Sequence, residues 1–191
     1  MVQAQQLRAI TVVVAGTPFG TPEDDRQNPR IKLTQLGTVF DPPGCAKVAE
    51  GTNLPQGLKG NMAATTAEGD GNRFITIALE TNEPLPVVEP SDECKKITFS
   101  GNGITGTVQT VPTPQIDGAK TLGVHRSVNI ERDGKTQTGE LYSYRAYFGK
   151  YQVMVTANPV LAPDKPVAPV DTKRAEDLLV AAVAAIRGKN S

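Results

Sequence analysis

The chain has no tryptophan, one histidine, two cysteines and no net charge, its twenty lysines and arginines being matched by twenty aspartates and glutamates. Each shortage excludes a class of chemistry. A single imidazole, His125, cannot supply the paired histidines of many metal centres or of two-imidazole catalysis. A charge balance of zero removes the long-range attraction on which nucleic-acid and anionic-membrane binding rest, so no nucleic-acid partner is expected. Long hydrophobic runs are missing as well. The best candidate, Ile10 to Ala15, falls far short of the ~18 apolar residues that span a bilayer, and no transmembrane segment is expected. Carboxylates gather at Glu23 to Asp25, at Glu68 and Asp70, and at Glu89, Asp92 and Glu93, without the spacing of a calcium loop. No cofactor and no metal are expected.

What is there is a chain of 191 residues and 20.3 kDa, long enough to bury one core and read as a single domain over 1–191. Its first forty residues are expected to be loosely structured. They hold one β-branched run, Ile10 to Val14, a weaker alternation at Ile31 and Leu33, and between them a polar loop from Thr17 to Pro29 rich in turn residues. Pro42-Pro43 then opens a short helix expected over Gly44 to Glu50, with Gly51 as its stop.

From residue 60 onward, short alternating runs are separated by dipeptides that favour tight turns. Asp70-Gly71-Asn72 joins Asn61–Ala67 to Phe74–Leu79, and Asn102-Gly103 joins Lys96–Ser100 to Ile104–Thr110. Asp133-Gly134 separates Leu122–Ile130 from Glu140–Phe148, and Gly149-Lys150 leads into Tyr151–Ala157. A meander of about six or more strands with no helical crossover excludes a parallel sheet. The period then changes. After a proline-rich spacer over 158–170, Ala175, Leu178, Leu179, Ala182, Val183 and Ile186 fall on one helical stripe within 171–188, capped by Asp171-Thr172 and stopped by Gly188. The fold class expected is α+β: an antiparallel meander with this C-terminal helix packed on one face, sandwich-like.

Gly101-Asn102-Gly103-Ile104-Thr105-Gly106 matches the dinucleotide fingerprint in letters. The β-branched, proline-broken segment after it offers no helix N-terminus to a phosphate, so it reads as a hairpin turn. His125 is the only candidate catalytic base, and none of the five serines sits in a nucleophile elbow. Within Leu122 to Ile130 the apolar positions are even, which places His125 on a polar face and Arg126 on an apolar one between Val124 and Val128. A guanidinium there needs a carboxylate, a carbonyl cluster or a ligand anion. All four tyrosines lie close by at Tyr142, Tyr144, Tyr147 and Tyr151. Arg126 with Tyr142, Tyr144 and Tyr147 is the candidate ligand site, suited to a small anionic amphiphile with its head on the guanidinium and its body against the rings. Strand parity sets Tyr147 opposite the other two, so only a bulge would let all three line one face.

Cys45 and Cys94 lie in turn-rich sequence rather than in apolar runs. They are placed to meet, the alternative being two free thiols. A bridge would be worth about 4 kcal/mol in loop-closure entropy and would go with an oxidising compartment. The start, Met1 to Gln6, carries no signal-peptide pattern, so export requires a signal upstream of residue 1 and its alternative is the cytosol.

Pro42-Pro43-Gly44-Cys45, Cys94-Lys95-Lys96-Ile97-Thr98-Phe99 and the ending Val170 to Ile186 together resemble mycobacterial exported proteins and lipoproteins of unassigned function, and more distantly the extracellular sensor domain of PknH-type kinases. The resemblance implies export, in some members with a lipid anchor, an α+β fold, and a cleft for an unidentified ligand. It brings no catalytic residues. The function expected is a secreted or cell-envelope, non-enzymatic domain that binds a small or lipid-like ligand or an envelope or host protein. The alternatives are a structural interaction module of the envelope and a hydrolase using His125. In protein made under oxidising conditions, thiol titration in denaturant should find no reactive cysteine; two reactive thiols would remove the Cys45–Cys94 bridge and the compartment inferred from it.

Overall fold

The computed structural model describes residues 8–11, 17–19, 37–51, 58–132, 134–161 and 166–189. Ten strands among them form one antiparallel sheet: β1 (Arg8–Thr11), β2 (Thr17–Phe19), β3 (Val39–Asp41), β4 (Gly60–Gly69), β5 (Asn72–Thr81), β6 (Lys96–Gly101), β7 (Ile104–Val111), β8 (Lys120–Arg132), β9 (Lys135–Phe148) and β10 (Tyr151–Pro159). A 3-10 turn at Pro43–Cys45 leads into α1 (Ala46–Glu50), and α2 (Thr172–Lys189) ends the described chain. The strand order is β1-β4-β5-β10-β9-β8-β7-β6-β3, with β2 also on β4. The α+β class with a helix on one sheet face holds.

The tight turns behave as their dipeptides predict. Asp70 and Asn102 take positive φ, followed by Gly71 and Gly103, which do the same and give the primed turns that suit strand twist. The fingerprint-like glycines are thus a hairpin, and the last of them has a packing role. Gly106 faces Phe99 across the ladder, and a Cβ there would lie 2.4 Å from Phe99 Cζ.

Three expectations need correction. Thr17–Phe19 is a strand on β4 rather than part of a loop, because an edge position tolerates the missing N–H of Pro18. Gly188 lies inside α2 rather than ending it, since one exposed glycine costs a helix only about 1 kcal/mol. The spacer begins later than 158, as Asn158 and Pro159 belong to β10. Val12 to Val14, Ile31, Leu33 and most of the N-terminal polar loop lie outside the described residues.

The two sheet faces are covered at different ends. On one face α2 lays Ala175, Leu179 and Val183 on Phe74, Tyr144, Ala146, Val153, Val155 and Ala157 from β5, β9 and β10. On the other, Cys45 and Ala49 pack with Phe40, Cys94, Ile97, Phe99 and Val108 over β3, β6 and β7. The buried Asn72 aims α2. Its Nδ2 donates to the Asp70 and Pro169 carbonyls at 3.1 Å, and its Oδ1 accepts from the Asp171 N–H at 3.3 Å. Asp171 then caps the helix by accepting from the Arg174 N–H at 2.9 Å.

Leu179 is fully buried at the centre of the helix stripe. Leu179→Asp should therefore cost about 4 kcal/mol or more and lower the melting temperature by about 10 °C, if the domain folds at all; a melting temperature unchanged within two degrees would detach α2 from the core. Tyr144 lies beneath α2, where burial first and the charge of Glu176 second push its pKa from 10.0 to about 12, against a hydrogen bond with Thr172. The unfolded chain loses that proton at lower pH than the folded one. Stability from this group is thus full below pH 10 and falls through the window up to about 12. Tyr144→Phe should remove that part of the alkaline loss in denaturant melts, and an unaltered profile would show that Tyr144 does not report the burial.

Candidate functional site

Because β10 sits between β5 and β9, the connection from β5 to β6 must cross about five strand spacings, roughly 24 Å, over a sheet face. Residues 82–95 make that crossing on the face opposite α2. The connection from β3 to β4 starts over the same face with α1. Between the α1 end, the 82–95 crossing and the sheet lies a cleft of about 650 Å³, within the range of small-molecule sites. Val48 and Gly51 of the α1 end stand on one side, and Pro86, Val88 and Pro90 of the crossing loop on the other. Val88 is 56% exposed at the lip.

One disulfide holds both walls. Cys45 and Cys94 are bridged with Cα atoms 5.5 Å apart; Cys45 immediately precedes α1, and Cys94 lies at the end of the crossing loop. A helix of five residues has no stability of its own, so the bridge and the burial of Ala49 keep that wall in place.

The floor is read from the strand registers. Leu122, Arg145 and Met154 form one row across β8, β9 and β10, and Val124, Ser143 and Thr156 form the next; Arg126 pairs with Leu141 in the row beyond. Arg126 donates from Nη2 to the Ala49 carbonyl of α1. Burial first, then the positive charge of Arg145, hold its pKa below the usual guanidinium range.

The structure does not bring the sequence-predicted site residues together. Arg126 lines the cleft, whereas Tyr142 and Tyr144 project from the other face. Tyr144 is core beneath α2, and Tyr142 stacks on His125 with ring centroids 4.2 Å apart. Tyr147 shares the parity of Arg126 but is buried beyond the cleft lining. A single cleft joining Arg126 to Tyr142, Tyr144 and Tyr147 is therefore corrected to one built around Arg126, Ser143 and Arg145. The physical reason is register. Arg132 pairs with Lys135, so counting back from the Asp133-Gly134 turn sets position 126 against 141 and gives it the odd-numbered face of β9. That turn is the sequence signal that could have found Ser143 and Arg145. The walls carried no such signal, because they come from two distant connections.

His125 lies on the α2 side of the sheet, its Nε2 2.8 Å from Glu140 Oε1 at ion-pair distance without a well-directed hydrogen bond. Ser127, on the same face, shares a hydrogen bond with Thr107 at 2.9 Å. Both cysteines are consumed in the bridge. No described helix is long and apolar enough to cross a membrane.

No curated protein is significantly similar to the chain. The crystal structure of an uncharacterised protein from Mycobacterium smegmatis, an Rv0999 ortholog, is similar over 92% of this chain and 88% of that one, at 51% sequence identity and a TM-score of 0.77. Residues 20–187 match a family described as a domain of unknown function (DUF5642). With that match covering most of its length, and a mycobacterial relative sharing half its residues, the chain belongs to the DUF5642 family.

Proposed function

We propose that this chain is a non-enzymatic, extracytoplasmic binding domain whose cleft takes a small or lipid-like ligand. The observation that carries this reading is the cleft itself. A sheet face floored with Leu122, Val124, Leu141 and Met154 is left partly uncovered between α1 and the crossing loop, at a size that suits a small molecule. An exposed apolar lip at Val88 gives an amphiphile a route in from solvent. The oxidised Cys45–Cys94 pair supports an oxidising compartment. The non-enzymatic reading is supported by the position of His125 on the opposite face, away from the cleft and stacked on an aromatic ring.

Nile red titrated into the oxidised protein should show saturable, blue-shifted emission with one site per chain. Met154→Trp, which fills the floor from β10, should abolish the signal without lowering the melting temperature. Binding that survives Met154→Trp would put the dye elsewhere, and the absence of any saturable signal would overturn the binding-domain reading.

A further inference from the structure

The cleft has a polar centre that an apolar ligand would leave unused. Among the described residues only three buried side-chain polar atoms lack a hydrogen-bond partner: Arg126 Nε, Ser143 Oγ and His125 Nε2. Two of the three, Arg126 Nε and Ser143 Oγ, belong to side chains that line this one cleft. Folded proteins rarely leave such groups unpaired, and where they do the position needs a reason.

The sheet geometry puts the two residues, and a second cation, side by side. Ser143 faces Val124 across the β8–β9 ladder, so Arg126, two positions along β8, is its diagonal neighbour at about 7 to 8 Å between Cα atoms. Arg145 is two positions along β9 on the same face, about 7 Å away. The charged groups of the whole cleft are three cations, Lys47, Arg126 and Arg145, against one carboxylate, Glu50. Arg145 adds positive charge beside Arg126, and a bound anion would accept charge-assisted hydrogen bonds at the unpaired Arg126 Nε. Around this centre the floor is aliphatic: Leu122 and Met154 flank Arg145 in its row, and Leu141 stands beside Arg126. The Pro86 and Val88 wall is aliphatic too.

Resting on the cleft reading above, we infer that Arg126, Ser143 and Arg145 form the head-group subsite for a single-chain anionic amphiphile, carboxylate or phosphate, whose alkyl chain lies along the Leu122, Met154 and Val88 side of the cleft. Arg126 supplies the fixed cation, because its Nη2 is already anchored on the Ala49 carbonyl of α1. Ser143 supplies a hydroxyl that turns about one torsion to meet an acceptor. Arg145 supplies the second charge. The site therefore discriminates by charge at the head and is tolerant along the chain, since apolar walls fix neither length nor register.

Four probes test this by displacement of Nile red: decanoate, decyl phosphate, decanol and inorganic phosphate. The two anionic amphiphiles should bind at least about tenfold more tightly than decanol, as expected for charge-assisted hydrogen bonds lost with the neutral head. Inorganic phosphate alone should not compete. Arg126→Gln should bring the three decyl compounds to within about threefold of one another, and Arg126→Lys should restore part of the gap. Circular dichroism checks that the variants fold, and the wild-type comparison of decanoate with decanol needs no variant. Decanol binding as tightly as decanoate, a gap that survives Arg126→Gln in a folded protein, or inorganic phosphate competing as well as decyl phosphate would each overturn the inference. Nile red binding without displacement by any decyl compound would overturn it while leaving the cleft reading in place; failure of Nile red itself would remove both.

Discussion

The pairing of β10 between β5 and β9 is the constraint from which the rest of the molecule follows. It joins the β4–β5 hairpin to the β6–β10 meander and makes one continuous sheet of two locally formed units. It also separates β5 from β6, its successor in sequence, by four intervening strands. The chain then has no choice but to cross the sheet, and buried backbone in such a crossing would have to find partners it does not have. The crossing from β5 to β6 therefore runs as a surface segment, rich in proline over 84–90, and lies over the face rather than within it.

Each sheet face is apolar enough to need cover, and the two covers differ in kind. α2 is eighteen residues long, long enough to present a continuous stripe, and Asn72 and Asp171 hold its start against the β4–β5 turn. The cover on the other face is five residues of helix attached by a disulfide. It closes β3, β6 and β7 and stops short of β9 and β10. The cleft is the part of the sheet that this short cover does not reach.

That incomplete cover carries a cost. A buried donor left without an acceptor destabilises by roughly 1 to 3 kcal/mol, and Arg126 and Ser143 incur it in the same cleft. Elsewhere, His125 Nε2 apart, the described sheet satisfies its buried polar side chains by local means, as Thr113 with Thr121 and Thr107 with Ser127 show. Local rules are kept over most of the fold and broken at the place where a ligand site is proposed, which is the pattern expected when function rather than stability decides a residue.

The amino-acid sequence by itself determined the elements that depend on near neighbours: the seven strands from β4 to β10, the turns at Asn102-Gly103 and Gly149-Lys150, the apolar stripe of α2, and the pairing of two isolated cysteines. It also placed Arg126 on an apolar strand face, since side-chain alternation is a property of a single strand. Which aromatic residues share that face was legible from the two-residue turn at Asp133-Gly134, because a turn of fixed length sets the register of both strands. Only the tertiary structure decided that β10 inserts beside β5 and that α1 and the crossing loop come to the same face, over Arg126, Ser143 and Arg145. These outcomes rest on contacts between segments far apart in the chain, whose meeting is governed by the closing of the whole sheet and leaves no periodicity in either segment to be read.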